Sequence, residues 1–284
     1  IIMASLKEVK GRIASVNSTR KITSAMKMVA SAKLHKAQAA IESMLPYERR
    51  LHHILTDFMS NCTEVTSPFI VKREVKKVAV VVFASNTSLC GGFNANVIRH
   101  LVDLLAEYKP LGLENILVFP VGKKVADAVR KLGFRIEGDF QHMADKPSYQ
   151  EAADLAADLM KRFLHGDVDK VELLYNHFKS TASQILTRET YLPIDLNNEK
   201  KEEERTIDYI LEPSAEELMQ EMLPKVLRMK MFTVLLDSNA AEHAARTMAM
   251  QIATDNANEL LQELTVMYNK SRQQSITNEL LDIV

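Results

Sequence analysis

The chain has 284 residues, of which 46% are hydrophobic and 26% charged, with only 8 Gly and 8 Pro, a balance that excludes a disordered chain and fits a helix-rich protein of one or two domains. The formal net charge is −1, yet residues 1–50 carry ten Lys/Arg against three Glu, and residues 195–222 carry ten Asp/Glu against three Lys/Arg. The longest apolar run, Val78 to Ala84, is far below the ~20 residues of a membrane helix, so the chain is expected to be soluble or peripheral. Cys62 and Cys90 form no CxxC pair, which points away from a metal knuckle or a disulfide framework. The opening Ile1-Ile2-Met3-Ala4-Ser5 resembles neither a secretory signal nor a transit peptide.

The first element, segment 3–59, starts at Ser5-Leu-Lys-Glu8, the spacing of a capping box. Apolar residues follow at Leu6, Val9, Ile13, Val16, Ile22, Met26 and Val29 in helical spacing, with no proline before Pro46, where a kink is expected. A helix of this length would extend ~80 Å at 1.5 Å per residue, several times the thickness of a small domain.

Segment 74–195 reads differently. Val75 to Phe83 and Asn115 to Val121 are short β-branched runs ending in turn signals, as buried strands do. Lys170 to Phe178 and Gln184 to Ile194 read as further strands, and Asn94 to Tyr108, Lys123 to Leu132 and Tyr149 to Leu164 as amphipathic helices. The alternation predicts a Rossmann-like α/β domain with a largely parallel sheet.

An acidic connector, 196–212, follows and reads as a solvated loop. Segment 213–284 then opens with Ser214-Ala-Glu-Glu217, a second capping box, and contains no glycine. Seven alanines between Ala240 and Ala257 would let another helix approach closely. A helix of ~70 residues would run ~105 Å and could not be buried on so small a domain. The two overlong helices therefore need each other, and an antiparallel coiled coil projecting from the α/β domain is expected, left-handed if the apolar spacing averages 3.5.

Three motifs carry a family resemblance. Residues 13–33, Ile-Ala-Ser-Val-Asn-Ser-Thr-Arg-Lys-Ile-Thr-Ser-Ala-Met-Lys-Met-Val-Ala-Ser-Ala-Lys, are similar to the N-terminal helix of γ subunits of F-type ATP synthases. Residues 248–257, Met-Ala-Met-Gln-Ile-Ala-Thr-Asp-Asn-Ala, and 268–284, Tyr-Asn-Lys-Ser-Arg-Gln-Gln-Ser-Ile-Thr-Asn-Glu-Leu-Leu-Asp-Ile-Val, resemble the family's C-terminal signature. Leu89-Cys-Gly-Gly-Phe-Asn94 is similar to its glycine turn after the first strand. The chain departs from the family at Ser85-Asn-Thr-Ser88, where an acidic, Arg- and Gly-containing approach is more usual, and at Asp282, where Glu is commoner. It lacks the inserted cysteine pair of the chloroplast form, which favours a bacterial member.

The resemblance implies a non-catalytic rotor shaft that couples proton flow to ATP synthesis. Its coiled coil would fill the hole in a ring of α and β subunits. The α/β domain would sit with the ε subunit on the membrane ring of c subunits, at the cytoplasmic face of a bacterial inner membrane, with membrane association only through the complex. It further implies that Arg272, Gln273 and Thr277 catch a β-subunit loop, that Met26, Lys27, Lys33 and Lys36 line the bearing and meet the β-subunit levers, and that Tyr209 and Glu212 touch the c ring. No cofactor and no catalytic residue is implied.

Other readings of the same residues are less economical. Gly91-Gly92 follows a strand, but GxxxxGK[ST] and GxGxxG are both absent, so a structural turn is expected rather than a phosphate loop. Gly122-Lys123-Lys124 reads as a helix start. His52 and His53, adjacent on a helix, point ~100° apart and make a poor chelate, so no metal is expected. The lysines at 21, 27, 33 and 36 are interleaved with no aromatic residue, which argues against nucleic acid. No Ser/His/Asp or Cys/His set assembles from the sequence. A coiled-coil adaptor with a Rossmann-like head is the alternative to a rotor; co-purification with ATPase α and β chains would separate them.

Overall fold

The computed structural model describes residues 6–61, 67–194 and 215–283, and so excludes Ser5 and Ser214 of the two expected capping boxes. Two helices dominate: α1, Leu6–Asn61, of 56 residues, and α6, Ala215–Ile283, of 69. Both are assigned as helix straight through their prolines, Pro46 and Pro224. They run antiparallel: Arg20 bonds Asn258, Thr23 lies 2.8 Å from Thr254, and Leu34 and Ala37 pack on Ala240 and Ala244. The small residues expected to permit close approach lie in this seam, with Ala240 and Ala244 wholly buried.

Between the helices lies an α/β head. A five-stranded sheet has the order β3-β2-β1-β4-β5, built from β1 (Val78–Phe83), β2 (Ile116–Val121), β3 (Arg135–Ile136), β4 (Lys170–Phe178) and β5 (Gln184–Leu192). The first four are parallel and β5 closes the sheet antiparallel to β4. Because side chains alternate along a strand, β1 sends Val78, Val80 and Val82 to one face and Ala79, Val81 and Phe83 to the other. The first set packs under α2 (Phe93–Tyr108) and α3 (Lys123–Lys131) through Val97, Leu101, Leu105, Val125 and Val129. The second packs under α5 (Tyr149–His165) and the first turns of α6, where Met219, Leu223, Leu227 and Met231 follow one another at about one turn each. Ala40, Ile41 and Met44 of α1 lean on the same layer. The head is thus a three-layer sandwich, one layer of which includes the start of the rod.

Element ends depart from the sequence reading by a few residues, each for a local reason. Lys76 and Lys77 donate their backbone N–H groups to Asp169 Oδ2, both at 2.9 Å, so β1 starts at Val78 rather than Val75. β5 ends at Leu192, since Pro193 has no N–H to offer the ladder, and Ile194 N bonds Phe69 O instead. β3 and α4 (Gln141–Asp145), absent from the sequence expectation, span two and five residues and are too short to show a period.

A buried charge set ties β4, β5 and α2 together. Glu172, 2% exposed, accepts from Tyr108 and Lys170 and takes two bonds from Arg188, which also reaches Glu107. Burial pushes the Glu172 carboxyl up, but the hydrogen bonds from Arg188 and Lys170 outweigh it and hold the group below the usual carboxylate range.

Candidate functional site

Two surfaces stand out. The first is the rod. Outside the seam, α1 exposes Ile22, Met28 (66%) and Val29, and α6 exposes Ile252, Val266 (68%), Met267, Leu280 and Leu281. Single exposed apolar residues are ordinary, but a series along two projecting helices is the kind of surface by which proteins bind one another. Polar layers interrupt the seam. The Thr23 and Thr254 hydroxyls face each other at 2.8 Å, while each also lies within bonding reach of its own helix at Arg20 O and Met250 O.

The residues singled out in the sequence fall in different places on this rod. Met26 and Lys27 are half-buried at the seam's margin; Lys33 and Lys36 are exposed. Arg272, Gln273 and Thr277 are exposed near the end of α6, where the Thr277 hydroxyl donates to Gln273 O at 2.9 Å. Tyr209 and Glu212 lie outside the described residues. The two groups on the rod are therefore separate patches rather than one site.

The second surface is where α6 leaves the head, across the C-terminal ends of the strands. Phe178 N donates to Asp237 Oδ1 at 2.8 Å, and His177 Nδ1 lies 2.6 Å from Asp237 Oδ2. Asn239 donates to Ala144 O at 3.0 Å, and Arg246 to Ser88 O at 2.6 Å. Phe83, Ala84 and Val121, at the ends of β1 and β2, share one small cleft with Leu235, Ser238, Asn239 and Glu242. Cys90 and Phe93 pack on Ala241 and Ala245.

The loop from Ser85 to Phe93 presents this face by folding on itself. Asn94 accepts from Ser85 N and exchanges hydrogen bonds with the Ser85 hydroxyl, and Gly91 takes φ +59° to turn the chain into α2. The glycine pair is thus a strand-to-helix turn, as expected, and Gly122 likewise stands at the start of α3.

Electrostatics at this exit are unusual for a surface helix. Burial raises Glu242 above the usual carboxylate range, opposed by its hydrogen bond from Arg246. His243, 7% exposed, is pushed down to about 4 by burial, with the positive charges of Lys33 and Arg246 acting in the same direction. Its Nδ1 has no hydrogen-bond partner among the described residues. Asp237, Asn239, Glu242, His243 and Arg246 all escaped the sequence analysis. A signal was available: polar residues interrupt an alanine-rich stretch, and Glu242 and Arg246 stand at the i,i+4 spacing of a helical ion pair.

This rod-and-head arrangement can be compared with known proteins. A family model described as ATP synthase matches residues 5–284. The ATP synthase gamma chain of Phocaeicola vulgatus is 81% identical over 284 residues, covering 99% of this chain and 98% of that protein. The chain belongs to the ATP synthase gamma chain family. The gamma chain of Bacteroides thetaiotaomicron is 63% identical, with 99% of this chain and 98% of that protein covered. These relatives are bacterial, in line with the expected bacterial member. Among solved structures, a chain of the Euglena gracilis mitochondrial ATP synthase in rotational state 3 superposes with a TM-score of 0.65 at 22% identity, covering 98% of this chain and 92% of that one. A chain of the Tetrahymena thermophila central stalk and c ring gives 0.55 at 22% identity, over 82% and 99%. Both share the fold: long terminal helices around a mostly parallel α/β sheet. Among the described residues no helix is long and apolar enough to cross a membrane.

Proposed function

We propose that the chain is the central rotor shaft of an F-type ATP synthase, coupling proton flow through a membrane ring to conformational cycling of catalytic β subunits, and is not itself a catalyst. The observation that carries this reading is the antiparallel rod of α1 and α6, which stands off the head and exposes apolar side chains along both helices. An asymmetric rod that contacts several copies of a partner differently stabilises a different conformation in each. Turning it therefore shifts their nucleotide affinities in sequence.

The partners in this reading are the α and β subunits around the rod, and ε with the c ring at the head. The complex lies at the cytoplasmic face of the inner membrane, and this chain needs no cofactor. Segments 3–59 and 213–284 serve as the rod, 74–195 as the head and 196–212 as the foot, where Tyr209 and Glu212 meet the c ring. Met26 and Lys27, at the seam's margin, and Lys33 and Lys36, free to move over acidic levers, suit a bearing that offers few strong bonds. Exposed Arg272, Gln273 and Thr277 suit a catch, since Arg272 presents a planar fork of donors to a carboxylate.

The test is reconstitution of the tagged chain with α, β and ε subunits and observation of single complexes during ATP hydrolysis. Stepwise rotation of the tag is expected. Hydrolysis at full rate with a stationary tag overturns the rotor reading in favour of an adaptor.

A further inference from the structure

In open α/β sheets the crevice beyond the carboxyl ends of the strands, where the strand order reverses, is the usual place for a ligand. Here the order β3-β2-β1-β4-β5 reverses between β1 and β4. The crevice is filled by the chain's own helix, residues 237–246 of α6. Three parts of the head reach it through backbone groups: Phe178 N at the end of β4, Ala144 O in α4 and Ser88 O in the loop after β1. Their partners on α6 are Asp237, Asn239 and Arg246, spread over more than two turns. Leu236 is the last α6 residue in the main core of the head, and Ala240 and Ala244 already face α1. The three bonds therefore lie at the point where the helix passes from head to rod. Apolar packing is non-directional, whereas hydrogen bonds to fixed backbone groups set the rotation of a helix about its own axis.

We propose that Asp237, Asn239 and Arg246, gripped by the ligand-binding end of the sheet, are the positioning residues that lock the rod to the head, so that torque passes between them without slip. The proposal rests on the rotor reading above. It assigns a use to the crevice that this class of sheet ordinarily gives to a cofactor; the head contributes three backbone groups and, at Asp237, the His177 ring.

The test uses the assembled complex in sealed vesicles and compares proton pumping with ATP hydrolysis. The triple variant Asp237→Ala, Asn239→Ala, Arg246→Ala is expected to hydrolyse ATP within about twofold of wild type, while protons pumped per ATP fall about threefold or more. A covalent lock supplies the control. A Cβ at Gly91 would lie 3.8 Å from Ala249 Cβ, a disulfide spacing, so Gly91→Cys with Ala249→Cys, in a Cys62→Ser, Cys90→Ala background, bridges the same loop to α6. Oxidation is expected to restore the ratio in the triple variant and reduction to abolish it again. A triple variant that pumps at the wild-type ratio overturns the lock, as does a loss that the oxidised bridge leaves unrepaired. A wild-type complex that hydrolyses ATP and pumps nothing removes the rotor reading itself.

Discussion

Gly122 turns the chain from β2 into α3 at φ +115°, and a Cβ there would stand 2.2 Å from Ala84 O. Both the conformation and the space require glycine. Gly122→Ala is expected to destabilise the head by about 2–4 kcal/mol, measured by chemical denaturation of the purified chain; a loss below about 1 kcal/mol would mean that the two loops can separate freely. His243 makes a second residue-scale case. Its folded value of about 4 lies below its ordinary 6.5, so the folded state disfavours the proton. The stability owed to neutral His243 is complete above about pH 6.5 and is lost as pH falls from there towards 4, on the order of 3 kcal/mol in all. His243→Leu is expected to flatten that part of the stability–pH curve relative to wild type. Parallel curves for the two proteins would show that the ring is solvated when protonated.

At the scale of elements, the question is what holds β5 and α2 to the sheet. Glu172 is the hub, with Arg188, Lys170 and Tyr108 around it. Removing it leaves two cations without their shared partner. Glu172→Ala is expected to cost about 2–4 kcal/mol, the lower end reflecting the partial exposure of Arg188. Because its folded-state value is depressed, the contribution of Glu172 is present above the ordinary carboxylate range and is lost as pH falls through it. The loss in Glu172→Ala should therefore shrink at acid pH, which thermal melts at neutral and acid pH would show or refute. In the rod, by contrast, the Thr23–Thr254 contact competes with bonds each hydroxyl can make within its own helix. Thr254→Val is accordingly expected to change helix stability by less than about 1 kcal/mol, and a larger loss by circular dichroism melting would assign the pair a register-setting role.

For the whole molecule, the exposed apolar residues of the rod have two consequences. The isolated chain should self-associate, and Met28→Glu with Val266→Glu should reduce this in sedimentation experiments while weakening assembly with α and β subunits. Retained assembly would mean that these side chains face away from the ring. The proposed catch can act only in the assembled complex. A hydrogen bond to a charged group contributes ~1.5–3 kcal/mol, enough to bias one β conformation by one to two powers of ten. Arg272→Ala with Gln273→Ala is thus expected to depress turnover and coupled synthesis of the assembled enzyme while leaving the circular dichroism of the chain unchanged. Wild-type turnover would remove the catch and leave the rod as bearing alone.

The long helices were legible in the sequence because their evidence is local and repeated: apolar residues at helical spacing over dozens of positions, and lengths that no small domain can bury. The strands β1 and β2 were legible for a similar reason, as β-branched runs between turn signals, and β4 and β5 were also read as strands. Family membership was legible because its motifs are contiguous at both ends of the chain. Tertiary structure decided the rest. β3 and α4 are too short to carry a period, and β1 begins and β5 ends where Asp169 and Phe69 take over backbone groups from far along the chain. Glu172, Asp237, Asn239 and Arg246 read in sequence as ordinary polar residues. Besides near neighbours in sequence, each has a partner between 16 and 158 positions away that it meets only once the sheet has formed and α6 crosses its end. A pattern of neighbours reports propensity and facing; it carries no record of which distant backbone group a side chain will reach.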